Sequence, residues 1–94
     1  MVQHVVCFKL KQGESVEKAK EVLLSMQGNV PMLRGLQVGV DELHSPRSYD
    51  IHLTVLLDDF AALDAYQVDE YHVSVVKKHM HAVVESSIAV DFTV

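Results

Sequence analysis

Three side chains in this sequence are placed where proton chemistry is conceivable. His4 lies between Val2 and Val6 in an alternating apolar run, where an imidazole costs free energy unless it finds a partner. His72 opens an apolar helical stretch on its inward side, and Tyr66 precedes it on the inward face of the helix before. A histidine titrates near neutrality and can take a proton from a carbon next to a carbonyl. A phenol can donate a hydrogen bond to the oxyanion that then develops. A hitch at Val68-Asp69-Glu70 separates the two helical stretches, and a break beside inward Tyr and His leaves room for a cavity between helices and sheet. The same residues would also serve as a hydrogen-bonded core histidine and a core tyrosine, and residue type alone leaves both readings open.

Other chemistries find less support. Six histidines invite a metal reading, but His79 and His81 on one helix point about 200° apart, and His72 and His79 lie roughly 10 Å apart along the axis. Paired cysteines and an H-E-x-x-H pattern are lacking, as are a glycine-rich phosphate loop and a G-x-S-x-G elbow, so neither metal nor cofactor is expected. His44, His79 and His81 read as ordinary surface or hydrogen-bonded residues. Cys7, the single cysteine, sits mid-strand in an apolar run and reads as packing rather than nucleophile.

The elements that must position these groups follow from periodicity. Val2, His4, Val6, Phe8 and Leu10 alternate with Gln3, Val5, Cys7 and Lys9, which is strand spacing. Ser15 is a suitable N-cap for a helix carrying Val16, Ala19, Leu23 and Met26 at helical spacing, and Gly28-Asn29 and Pro31 stop it. A second strand is expected over Leu33–Leu43, a turn at His44–Ser48, and a third strand over Tyr49–Leu57. Asp58-Asp59 should cap a helix with Phe60, Leu63 and Tyr66 inward. The next helix should turn His72, Val75, Val76, His79 and Val83 to one face, and Ile88, Val90, Phe92 and Val94 should form a fourth strand packed under the helices.

This βαββαβ order predicts one α+β domain over residues 1–94, with both helices on one face of a four-stranded antiparallel sheet. The other face would then carry Val5, Cys7, Gln37, Gly39, His52, Thr54, Ala89, Asp91 and Thr93. That mixture is too apolar for a plainly solvated surface, and a second sheet packed on it is the favoured explanation. Size points the same way, because a chain of 94 residues buries only roughly 60–65% of its unfolded surface. A net charge of −5 with scattered Lys and Arg argues against nucleic acid. No apolar run nears the ~20 residues of a membrane span, and the first residues lack the apolar core of a signal peptide. With one cysteine and no possible intrachain disulfide, a reducing compartment, the cytoplasm, is expected.

Several segments together resemble a known family. Gln3-His4-Val5-Val6-Cys7-Phe8-Lys9-Leu10, Tyr49-Asp50-Ile51-His52-Leu53, the stretch Phe60-Ala61-Ala62-Leu63-Asp64-Ala65-Tyr66-Gln67, His72 and Val90-Asp91-Phe92 occur in the order found in the stress-responsive dimeric α/β-barrel (Dabb) family. The resemblance covers nearly the whole chain. It implies a ferredoxin-like subunit and a homodimer in which two sheets pack into a barrel. It also implies a pocket for a small apolar or carbonyl ligand between helices and sheet. By similarity to a cyclase of this family that closes a polyketide without a prosthetic group, the general base would fall on His72, the assisting phenol on Tyr66, and a pocket histidine on His4. A further binding position falls on Ile51, which is apolar where the cyclase has a histidine, since His52 points to the other face. The usual His-Pro between the Tyr and the His is Asp69-Glu70 here. Two functional classes follow: a non-catalytic dimer with a small-molecule pocket, and a cofactor-free lyase or cyclase.

Overall fold

The computed structural model describes residues 1–94. The elements run β1 (Val2–Leu10), α1 (Val16–Leu24), β2 (Gly35–Val40), β3 (Ile51–Leu57) and α2 (Phe60–Gln67). A π-helical segment (His72–Lys77) then continues directly into α3 (Lys78–Val83), which is followed by β4 (Val84–Thr93). The four strands form one antiparallel sheet in the order β2-β3-β1-β4, the ferredoxin-like βαββαβ arrangement.

Local signals account for most of the boundaries. Ser15 Oγ accepts from the Lys18 N–H at 3.0 Å, capping α1, whose inward residues Ala19 and Leu23 are joined in the core by Met26. Gly28 adopts a φ of 83°, which a side chain would disfavour, and turns the chain toward β2. Asp59 Oδ1 caps α2 through the Ala62 N–H at 2.8 Å. Its neighbour Asp58 instead holds Arg34 in a two-pronged contact at 3.0 and 3.1 Å, tying the start of β2 to the end of β3. Along β3, Ile51, Leu53, Val55 and Leu57 are buried and the residues between them are only half-buried, as a strand under helices requires. β2 and β3 are shorter than the alternation suggested. The ladder closes at the Asp41 N–H to Asp50 carbonyl bond, and His44, at a φ of 54°, belongs to the connecting turn.

Two expectations about faces are corrected. In the last helical stretch Val76, Met80 and Val83 are buried with His72, whereas Val75 is exposed and His79 only half-buried. The π segment changes the helical phase. The second correction concerns β4. Its register with β1 sets Val90 opposite Val5, Ile88 opposite Cys7 and Phe92 opposite Gln3, while Asp91 stands opposite His4. Residues directly opposite in a ladder project to the same side. Ile88, Val90 and Phe92 therefore lie on the face away from the helices, and Ala89, Asp91 and Thr93 lie on the helix side, the reverse of the assignment made from apolarity. No element of the single chain covers that open face, so Ile88, Val90 and Phe92 remain 51%, 58% and 40% exposed.

Candidate functional site

His4, Tyr66 and His72 line one cavity of about 250 Å³ between the helices and the sheet. β1 supplies His4 from the centre of the sheet, α2 supplies Tyr66 from its last turn, and the π segment begins at His72. Asp69 fixes that beginning: its Oδ2 accepts from the His72 N–H at 3.0 Å, and its carbonyl accepts from the Val73 N–H at 2.9 Å. The interruption at Val68-Asp69 thus brings His72 back over Tyr66. Their rings stack, with centroids 4.0 Å apart and planes 21° apart, and His4 meets Tyr66 edge-on at 5.8 Å and 64°.

His72 is only 7% exposed. Its Nδ1 lies 2.8 Å from the Tyr66 carbonyl oxygen. A carbonyl can only accept, so Nδ1 carries the proton and Nε2 keeps a lone pair with no protein partner. Burial lowers the His72 pKa from its usual 6.5, and the positive charge of Lys77 and the nearby His4 push the same way. The bond to the Tyr66 carbonyl and the charge of Asp69 oppose the shift without cancelling it. The residue is therefore a neutral imidazole of defined tautomer, the form a proton acceptor needs.

Tyr66 is fully buried, and burial, reinforced by the charge of Asp69, holds its phenol well above the ordinary range. Its hydroxyl donates to Met26 Sδ at 3.7 Å, a weak bond directed at α1. What Tyr66 gives the cavity is chiefly the face of its ring, against which His72 is stacked.

His4, also 7% exposed, pairs through Nδ1 with Asp91 Oδ1. The carboxylate orients the ring and leaves Nε2 as its other nitrogen. Asp91 was not legible as a site residue because apolar alternation assigned it to the far face; its occurrence opposite a buried histidine is visible only once the β1–β4 register is known. Lys77 and His81 also border the cavity, His81 from a position that ideal helical spacing turns outward. Ile51 is not brought to this place. It is 2% exposed in the core and is absent from the cavity wall, whose β3 residue is Leu53. The remaining walls are apolar, chiefly Val6, Phe8, Val76 and Met80.

A family model described as the stress responsive A/B barrel domain matches residues 2–94. The chain belongs to this Dabb family. Solved structures agree with the fold of this Dabb chain. A dimeric protein of unknown function with a ferredoxin-like fold from Bacteroides fragilis is 25% identical, with a TM-score of 0.81, 99% of this chain and 95% of that one being covered. A Dabb family protein from Mesorhizobium loti is 23% identical over 99% and 95% of the two chains, with a TM-score of 0.71. A hydroxynitrile lyase from Passiflora edulis shares the fold at 14% identity, with 99% and 92% covered and a TM-score of 0.78. No curated protein matches the chain. No helix is long and apolar enough to cross a membrane.

Proposed function

We propose that this Dabb domain works as a homodimer, each subunit holding a small molecule in the cavity bounded by His4, Tyr66 and His72. The dimer reading rests on the sheet face that the helices leave open. Ile88, Val90 and Phe92 of β4 extend the half-apolar strip of Val5 and Cys7 across adjoining strands, and a contiguous apolar patch of this kind marks an association surface. Solved proteins of the same fold are described as dimeric. At about 250 Å³ the cavity has room for roughly eight waters at ~30 Å³ each. It falls just below the ~300–1,000 Å³ of drug-sized pockets, so a small ligand is proposed.

A catalytic reading is favoured by one observation: the unprotonated Nε2 of His72 has no protein partner and its tautomer is fixed by the Tyr66 carbonyl. In this reading the domain is a cofactor-free lyase or cyclase. His72 removes a proton next to a carbonyl, Tyr66 holds the imidazole by stacking, and His4, oriented by Asp91, hydrogen-bonds the substrate. The hydroxynitrile lyase of the same fold belongs to the lyase class, which is consistent with the proposal.

The test is exchange of α-protons into deuterated water across a panel of small ketones, aldehydes and β-keto esters, following each by NMR. Wild-type protein should accelerate exchange for at least one of them, and folded His72→Ala should lose that acceleration by about 10²–10⁴-fold, the usual worth of a general base. If no compound exchanges faster with wild type than with His72→Ala, the catalytic reading fails. The binding reading then stands or falls on whether any of these compounds shifts the His4 and His72 ring resonances.

A further inference from the structure

The chain carries 13 acidic side chains against 8 basic ones, yet no acidic residue borders the His72 cavity, while Lys77 and His81 do. Exposure rises along the wall, from buried His4, Tyr66 and His72 through half-buried Lys77 to exposed His81. The two cationic or protonatable groups therefore mark the mouth. The carboxylates that come near are occupied: Asp91 by His4 Nδ1, and Asp69 by the His72 N–H. Lys77 enters no ion pair. Its Nζ donates to the Gln67 carbonyl at 2.9 Å, which anchors it and leaves two of the three ammonium protons unused. An anchored and unpaired cation at the mouth of an apolar cavity, on a protein of net negative charge, concentrates positive potential at that one place.

We infer that the ligand of this cavity is a small organic acid, its carboxylate held at the mouth by Lys77 and His81 and its apolar body seated against Val76, Met80 and Leu53. This rests on the cavity being the ligand site, as proposed above, and adds the chemical class. Lys77 is the specificity-determining residue. It borders the same cavity as the stacked His72–Tyr66 pair, and its positive charge is among the influences that lower the His72 pKa. A carboxylate bound there would leave the carbon next to a carbonyl group within the part of the cavity that His72 borders.

The probes are 4-methyl-2-oxopentanoate and its amide, which match in shape and differ in charge. Each is titrated into the dimeric protein by calorimetry, with the His4 and His72 ring resonances followed by NMR. The acid should bind at least about tenfold more tightly than the amide at low salt, the scale of one hydrogen bond to a charged group. The advantage should shrink as ionic strength rises. Lys77→Met should remove the advantage of the acid over the amide, and Lys77→Arg should restore it. Equal affinity for acid and amide in the wild type, or a salt-independent preference, overturns the acid class while leaving the pocket reading intact. If neither compound moves the His4 or His72 resonances while a neutral carbonyl compound of the exchange panel does, the acid class fails and the pocket reading stands; if none of them does, both fail. The wild-type comparison decides the matter even where a Lys77 variant is poorly folded.

Discussion

Asp91→Ala is the sharpest perturbation of the site, because the exposures of its two partners differ. His4 is 7% exposed, and its Nδ1–H has Asp91 Oδ1 as its protein partner. Removing the carboxylate leaves a buried donor unpaired, which costs about 1–3 kcal/mol. The Asp91 side chain is itself 34% exposed, so deleting the other partner with His4→Leu leaves a carboxylate that water still reaches and a side chain suited to its apolar neighbours. That substitution should be milder. Asp91→Asn keeps an acceptor and should also be milder than Asp91→Ala. The double variant His4→Leu/Asp91→Ala should be destabilised by less than the sum of its parts, with a coupling on the order of 1 kcal/mol, beyond the ~0.3–0.5 kcal/mol within which independent sites add. For a domain of this size each kcal/mol moves Tm by about 4–8 °C, so a cost of about 1–3 kcal/mol should lower the melting temperature of Asp91→Ala by roughly 4–24 °C. Thermal and urea unfolding must be compared at one protomer concentration, since a dimer's apparent stability depends on it. Strict additivity, or an Asp91→Ala variant within about 0.5 kcal/mol of the parent, would show that Asp91 does not serve His4 and that β4 does not bring it to the helix side.

The other predictions concern the neighbouring groups. Burial lowers the His72 pKa from 6.5, so the unfolded chain binds this proton more readily than the folded one. Its contribution to stability is complete above about pH 6.5 and is lost as pH falls through the lower folded-state value. The urea midpoint should therefore fall less between about pH 6.5 and 5 in His72→Gln than in the parent, and parallel profiles would refute this. Tyr66→Phe removes only a weak bond to Met26 Sδ and should cost less than about 1 kcal/mol. It should reduce any α-proton exchange less than tenfold, whereas a loss near 10²-fold would identify the hydroxyl as an oxyanion donor. Val90→Glu puts a charge on the open sheet face and should convert a sedimenting dimer to monomer; an unaffected dimer would place the interface elsewhere. Cys7, half-buried on the same face, should alkylate slowly in the dimer and quickly in the Val90→Glu monomer, and equal rates would count against that interface.

Most of the fold was legible because local and long-range signals agree in it. The alternation through Val2–Leu10, the caps at Ser15 and Asp59 and the stop at Gly28 each name an element, and the order of elements leaves few topologies open. The face of β4 was not legible. Ile88, Val90 and Phe92 alternate with Ser87, Ala89 and Asp91, which states that the three apolar residues share a side. It does not state which side. A sheet covered by helices on one face and free to pair with another sheet on its other face offers two apolar environments. The register with β1 chooses between them. That register follows from α3 passing into β4 with no loop between Val83 and Val84, and from a shift in pairing near Leu10.

Periodicity is equally silent about a change of helical phase, which the π segment between His72 and Lys77 introduces. An α-helix turns each residue by 100°, whereas a π-helical turn, bonded i→i+5, turns it by roughly 82°. Counted from His72 at ideal α spacing, His79 falls about 20° from the inward direction, Met80 about 80° and His81 about 180°. Carrying the π spacing through six residues subtracts about 110°. Met80 then lies close to His72, His81 swings to about 70° from it, and Val75 and His79 move outward. That is the pattern observed, with Met80 buried, Val75 exposed and His81 bordering the cavity. The residues that periodicity missed, Asp91 and His81, are thus those carried to the cavity by an unlooped helix–strand junction and by a widened helical turn. Both irregularities sit on the segment that runs from His72 to β4, along one wall of the same cavity. A straight α-helix there would turn His81 away from the mouth, so the departure from ideal geometry is what brings His81 to this side of the pocket.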